Sequence, residues 1–184
     1  MDVATTKVKF LENEILTLTT NGAIASHSKI YSGASEQDKK DMRNELRKWL
    51  REIKSNYAER RIADAEHLQN IQSLADHLTT RFESILSARR FRIGISQKLL
   101  NLYLKYCWTL DWIPEPPHCP FDNEVIGRLR LTRPIKWTQM DSTQEYETLV
   151  AAGRREADRS GISSIALWEL KIWNESFEAT RDSR

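Results

Sequence analysis

Apolar residues along most of this chain fall at intervals of three and four, the repeat of a helix with one buried face. Val8, Leu11, Ile15 and Leu18 form the first stripe and predict a helix over Thr6 to Thr20, ended by Asn21-Gly22. A Ser-, Gly- and Ala-rich loop follows to Ala34. Ser35-Glu36-Gln37-Asp38 then has the form of a helix start, a serine cap with acids in the first turn. This helix buries Met42, Leu46, Trp49, Leu50 and Ile53 and reaches about Ser55. The next runs through Ile62 and His67 to Leu86, turning Leu68, Ile71, Leu74, Leu78, Phe82 and Ile85 inward. Arg89, Arg90 and Arg92 lie at its end, where cations complement the helix dipole.

Gly94 interrupts the pattern. Ile95, Leu99, Leu102 and Tyr106 form the face of a new helix that Leu100, Leu104 and Trp108 widen, so this helix is expected at the centre of the fold. Lys98, Asn101 and Lys105 make its polar stripe and are expected to face solvent. Prolines at 114, 116, 117 and 120 forbid helix from Asp111 to Pro120. A short helix is expected from Asp122 to Leu131. Another starts at Asp141-Ser142-Thr143 and runs through Tyr146, Leu149 and Val150 toward Asp158, where Gly161 stops it. Ser163 or Ser164 caps a last helix carrying Ile165, Leu167, Trp168, Leu170, Ile172 and Trp173, which frays after Phe177. No stretch alternates as a strand does. The pattern predicts an all-α fold, one compact multi-helix domain over residues 1–184, with 1–34 either an appended arm or part of the core.

Composition changes this picture little. Apolar residues are 40% and charged residues 29%, a globular balance, and a net charge of +2 does not announce a nucleic-acid binder. No apolar run approaches the roughly 20 residues of a membrane span, and Met1 to Phe10 is not a signal peptide, so the expected location is cytoplasmic and no membrane partner is expected. Cys107 and Cys119 are expected to stay reduced. With His118 they raise the question of zinc, but no paired ligand spacing supports a metal site.

Candidate chemistry is concentrated in two segments. Gly94-Ile95-Ser96-Gln97-Lys98-Leu99-Leu100-Asn101 puts a lysine at the start of an apolar helix. Pro120-Phe121-Asp122-Asn123-Glu124-Val125 puts an aspartate at the start of another. Asp122 reads as an N-cap worth about 1 kcal/mol, and a cap can also be a catalytic carboxylate. Lys98 reads either as a solvated lysine or as a nucleophile, if it is exposed near a cleft and can lose its proton. The basic segment Arg128, Arg130, Arg133, Lys136, ending in Trp137, is either a solvated loop or a surface that tracks a nucleic-acid backbone with Trp137 stacking on a base.

The first of these segments resembles the end of the hairpin in the helix-hairpin-helix DNA glycosylase superfamily, and the second resembles the proline- and aspartate-bearing stretch that follows it. The resemblance spans about residues 92–129, within a hairpin-like and catalytic-like segment 92–131. It implies an all-α fold in two lobes with a site in the cleft between them. Lys98 falls at the Schiff-base lysine and Asp122 at the catalytic aspartate. The resemblance implies a grip on a DNA phosphate by the backbone around Gly94 and Ser96. On that view Arg92, Asn101, Lys105, Arg128, Arg130, Lys136 and Trp137 would contact double-stranded DNA, and a damaged base would be flipped out. The chain has no four-cysteine iron–sulfur signature, and no cofactor is expected. A noncatalytic helical module binding nucleic acid or a protein partner is the alternative.

Overall fold

Among the described residues seven α-helices make up the fold: α1 (Val3–Ile24), α2 (Glu36–Glu59), α3 (Asp64–Phe82), α4 (Ile93–Thr109), α5 (Asn123–Gly127), α6 (Thr143–Arg159) and α7 (Ile165–Asp182). This computed structural model describes residues 2–24 and 29–182, and of 179–182 the backbone alone. The all-α expectation holds. Among the described residues the one β contact is an isolated antiparallel bridge between Tyr31 and Leu86. There Ser87 N–H donates to Ile30 O (2.7 Å) and Ser32 N–H to Ile85 O (2.9 Å). Residues 25–28 of the expected loop, and the last two residues of the expected frayed tail, lie outside the described residues.

The helix starts follow their local chemistry. Ser35 and Asp38 form a reciprocal capping box at α2. Ser142 Oγ accepts from Glu145 N–H at α6, and Ser164 Oγ accepts from Leu167 N–H at α7, which settles the choice between Ser163 and Ser164. Gly161 ends the α6 turn at φ +68, a backbone conformation that suits glycine. Several boundaries differ from expectation. α1 starts at Val3 and runs through Asn21-Gly22, the expected stop, to Ile24, and α2 continues past Ser55 to Glu59. α3 stops at Phe82 and gives way to two 3-10 turns, Glu83–Ile85 and Ser87–Arg89. α5 is a single turn and a half, because its last carbonyls are taken by Arg128 N–H within the tight exit.

α4 is the centre. α1 and α3 pack along it, α2 packs on α3, α6 also reaches α4, and α7 lies on α6. Residues from Ile15 on α1 to Ile172 on α7 share one hydrophobic core. α1 is therefore part of the core through its second half. Its buried face is not the expected stripe: Ile15, Leu16, Thr19, Thr20, Ala23 and Ile24 are buried, while Val8, Leu11 and Leu18 are exposed. Thr20 Oγ1 donates to Leu16 O (2.6 Å), whereas Thr19 Oγ1 is buried without a hydrogen-bond partner. No described helix is long and apolar enough to cross a membrane.

Candidate functional site

The polar stripe of α4 does not face solvent. A helix with neighbours on every side has no solvated face, so Lys98, Asn101 and Lys105 each need an internal partner. Asn101 is fully buried. Its Nδ2 donates to Tyr146 Oη (3.0 Å) and Gln97 Oε1 (3.3 Å), and its Oδ1 accepts from His67 Nε2 (2.8 Å). It is a core hydrogen-bonding residue and has no surface to offer DNA.

Lys98 meets Asp122. The Nζ to Oδ2 distance is 3.2 Å, and the lysine side chain is 12% exposed. Each residue is brought there by its own helix start. Lys98 projects from the second turn of α4. Asp122 caps α5, where its Oδ1 accepts from the amides of Glu124 and Val125, both at 3.1 Å. One carboxylate oxygen thus fixes the helix and the other takes the lysine. The Lys98 ammonium also lies 4.6 Å from the centroid of the Trp137 ring.

About two turns along α4, Lys105 makes a second pair, with Glu169 of α7 at 2.8 Å. Trp173 covers this lysine at 5.1 Å from its ring centroid. Both pairs open on one cavity of about 150 Å³, lined also by Tyr106, Trp173, and Leu18 and Gly22 of α1. Burial pushes the Glu169 carboxyl up, an effect that Lys105 opposes. Its Oε2 is buried without a hydrogen-bond partner. An acceptor left bare beside two ammonium groups is a place for a donor on a bound molecule, or for a proton. Glu169 was not a sequence candidate. Its signal was a carboxylate on the inner stripe of the last helix, between Trp168 and Leu170 and level with Ile165 and Ile172.

The remaining candidates divide. Gly94 is buried, and a Cβ there would stand 1.7 Å from Trp137 O. The glycine is required by close backbone approach, and its N–H donates to Met140 O (2.9 Å). The Ser96 amide donates to Arg92 O (3.0 Å), and its side chain is buried. These amides are already occupied, so the phosphate grip expected at Gly94 and Ser96 has no free N–H there. Trp137 is only 4% exposed, so the expected stacking on a base is excluded in this conformation: its ring packs in the core. Arg92 holds Thr138 O at 3.0 Å, tying the segment that carries Trp137 to the start of α4. Arg128 pairs with Glu124 (3.1 Å) and Arg130 approaches Glu156 (3.8 Å), both exposed. Lys136 is exposed on the same segment.

Cys107 and Cys119 are both free and buried, and burial pushes their thiols up, that of Cys107 to about 12. Neither has the character of a nucleophile. Among the described residues no cluster of three or more His, Cys, Asp or Glu side chains is placed to hold a metal ion.

The fold and site together define an all-helical domain with two lysine–carboxylate pairs around one small cavity. No family model, curated protein or solved structure matches the chain.

Proposed function

We propose that the protein is an imine-forming lyase that acts on abasic sites in damaged double-stranded DNA, with Lys98 as nucleophile and Asp122 as its proton-transfer partner. The observation that carries this is the 3.2 Å approach of Lys98 Nζ and Asp122 Oδ2 at the wall of a shared cavity, from two separate helix starts. Only a neutral amine attacks a carbonyl, and Asp122 is within reach to take the ammonium proton. The amine adds to the C1′ aldehyde of the ring-opened sugar. The resulting carbinolamine loses water to give a protonated imine. The proton that Asp122 took from the ammonium returns to the departing hydroxyl as that water leaves, and Glu169, paired with Lys105, faces the same cavity. Loss of a C2′ proton then expels the 3′ phosphate, and hydrolysis of the imine returns Lys98. Arg130, Arg133 and Lys136, exposed on the segment after α5, offer charge to phosphates.

Incision of a duplex bearing one abasic site tests this. The wild-type protein should cut at the site. Lys98→Ala and Asp122→Asn should each lower the rate by about a hundredfold or more. A folded wild-type protein that leaves the duplex intact would refute the proposal.

One observation favours the alternative, a noncatalytic helical module that binds a protein. Val8, Leu11 and Leu18 on α1, and Leu167, Trp173 and Phe177 on α7, are exposed at helical spacing. Under that alternative the two ion pairs are structural and Lys98→Ala changes stability alone.

A further inference from the structure

A second set of polar groups, unused by lyase chemistry, runs through the core as one hydrogen-bonded chain, and its anchors fix its direction. Gln97 is the key. Its Oε1 accepts from Phe121 N–H (3.1 Å), and its Nε2 donates to Phe121 O (2.7 Å) and Gly94 O (3.0 Å). Oε1 is therefore the oxygen, and the Asn101 atom 3.3 Å from it must be the amide nitrogen. That turns Asn101 Oδ1 toward His67, so His67 Nε2 carries a proton (2.8 Å). Burial, helped by neighbouring His118, holds His67 down to about 3, so the ring is neutral and its Nδ1 accepts from Tyr57 Oη (2.7 Å). On the other side Asn101 Nδ2 donates to Tyr146 Oη (3.0 Å), whose own proton goes to His118 Nδ1 (2.8 Å).

The chain ends at His118. Burial holds this ring down to about 3 as well, so it is neutral, and with Nδ1 accepting, Nε2 bears the hydrogen. That N–H has no hydrogen-bond partner, although the side chain is 4% exposed. Asp64 Oδ1 is 3.4 Å away but off the line of the N–H, while Asp64 Oδ2 is held by Arg154 at 2.6 Å. A buried donor left unmade costs stability unless something supplies an acceptor. His118 and Asp64 lie at the wall of a groove of about 610 Å³ between α3 and α6, whose apolar sides are Leu68, Val150 and Ala151.

From these groups the geometry points to a binding site for a small neutral molecule with an apolar body and an amide edge. The carbonyl oxygen accepts the His118 Nε2–H, the adjacent amide N–H donates to Asp64 Oδ1, and the body lies along Leu68, Val150 and Ala151. A carboxylate is disfavoured, because Asp64 and Glu147 both line the groove and Arg154 is already paired. A cationic amine would suit Asp64 but leave the His118 donor bare.

The probe is benzamide, titrated into the full-length protein labelled with nitrogen-15 at histidine, with benzoate and benzylamine as charge controls. Benzamide should move the His118 Nε2 resonance downfield while those of His67 stay near their place. Benzoate and benzylamine should bind at least about tenfold more weakly. Ala151 is an exposed position on α6 at the wall of the groove and makes none of the network's hydrogen bonds, so Ala151→Trp fills the groove and leaves those partners in place. It should weaken benzamide at least about tenfold. A His118 signal that benzamide does not move up to its solubility limit overturns the site. So does equal binding of either charged control, or benzamide binding indifferent to Ala151→Trp.

Discussion

Gly94 and the two buried histidines carry the sharpest physical statements about single residues. At Gly94 the obstacle to any side chain is a backbone carbonyl, Trp137 O, and backbone cannot swing aside as a lysine tip would. Gly94→Ala should therefore cost about 3 kcal/mol, the upper end for overpacking, measured by urea unfolding. A cost under about 1 kcal/mol would mean that α4 and the Trp137 segment do not approach this closely. His67 and His118 give a pH dependence. Their folded values of about 3 lie below the ordinary 6.5, so the unfolded chain binds more protons as pH falls below 6.5. The stability they allow is full above that pH and is lost on acidification, continuing down to about 3. At one unit below 6.5 each contributes a loss of roughly 1.4 kcal/mol. Unfolding midpoints that stay level from pH 7 to 5 would show that the histidines are not buried neutral.

At the scale of elements, α4 explains why much of the site escaped the sequence. Periodicity marked α4 as central and found its helical boundaries to within two residues. It could not say that the polar stripe was buried too, because Lys98, Asn101 and Lys105 repeat as a solvated face would. What distinguishes them is the partner each finds on another element: Asp122 at the start of α5, Tyr146 on α6, Glu169 on α7. Those partners are distant in sequence, and a spacing rule within one helix carries no information about them. α1 shows the same limit. Its exposed leucines and valine outrank its buried threonines on any hydrophobic scale, and the docking partner decides which face turns in. Asp122, by contrast, was legible, because a cap is a local device. The Lys105–Glu169 pair tests the element-scale account. Both side chains are at least nine-tenths buried, so Glu169→Met should strand a buried ammonium and cost about 3–5 kcal/mol. Adding Lys105→Met should restore most of that loss. A double variant no more stable than Glu169→Met would show that Lys105 is solvated.

The whole molecule joins a rigid all-helical core to a small cavity at which chain-distant cations and carboxylates meet. One core cluster takes in α1, α4 and α7, the three helices that line that cavity beside the α5 cap, so the geometry of Lys98 and Asp122 is set by the fold as a whole. A preorganised lysine–carboxylate pair is what imine chemistry asks for, and a purely structural pair would look alike at rest. Covalent capture separates them. The most direct measurement is sodium borohydride trapping of the protein on a duplex with a single abasic site, followed by peptide mapping of the adduct, with Lys98→Ala alongside. The account predicts a trapped complex whose modified residue is Lys98 and which Lys98→Ala abolishes. No adduct from the folded wild-type protein, or an adduct that maps elsewhere and persists in Lys98→Ala, would contradict it.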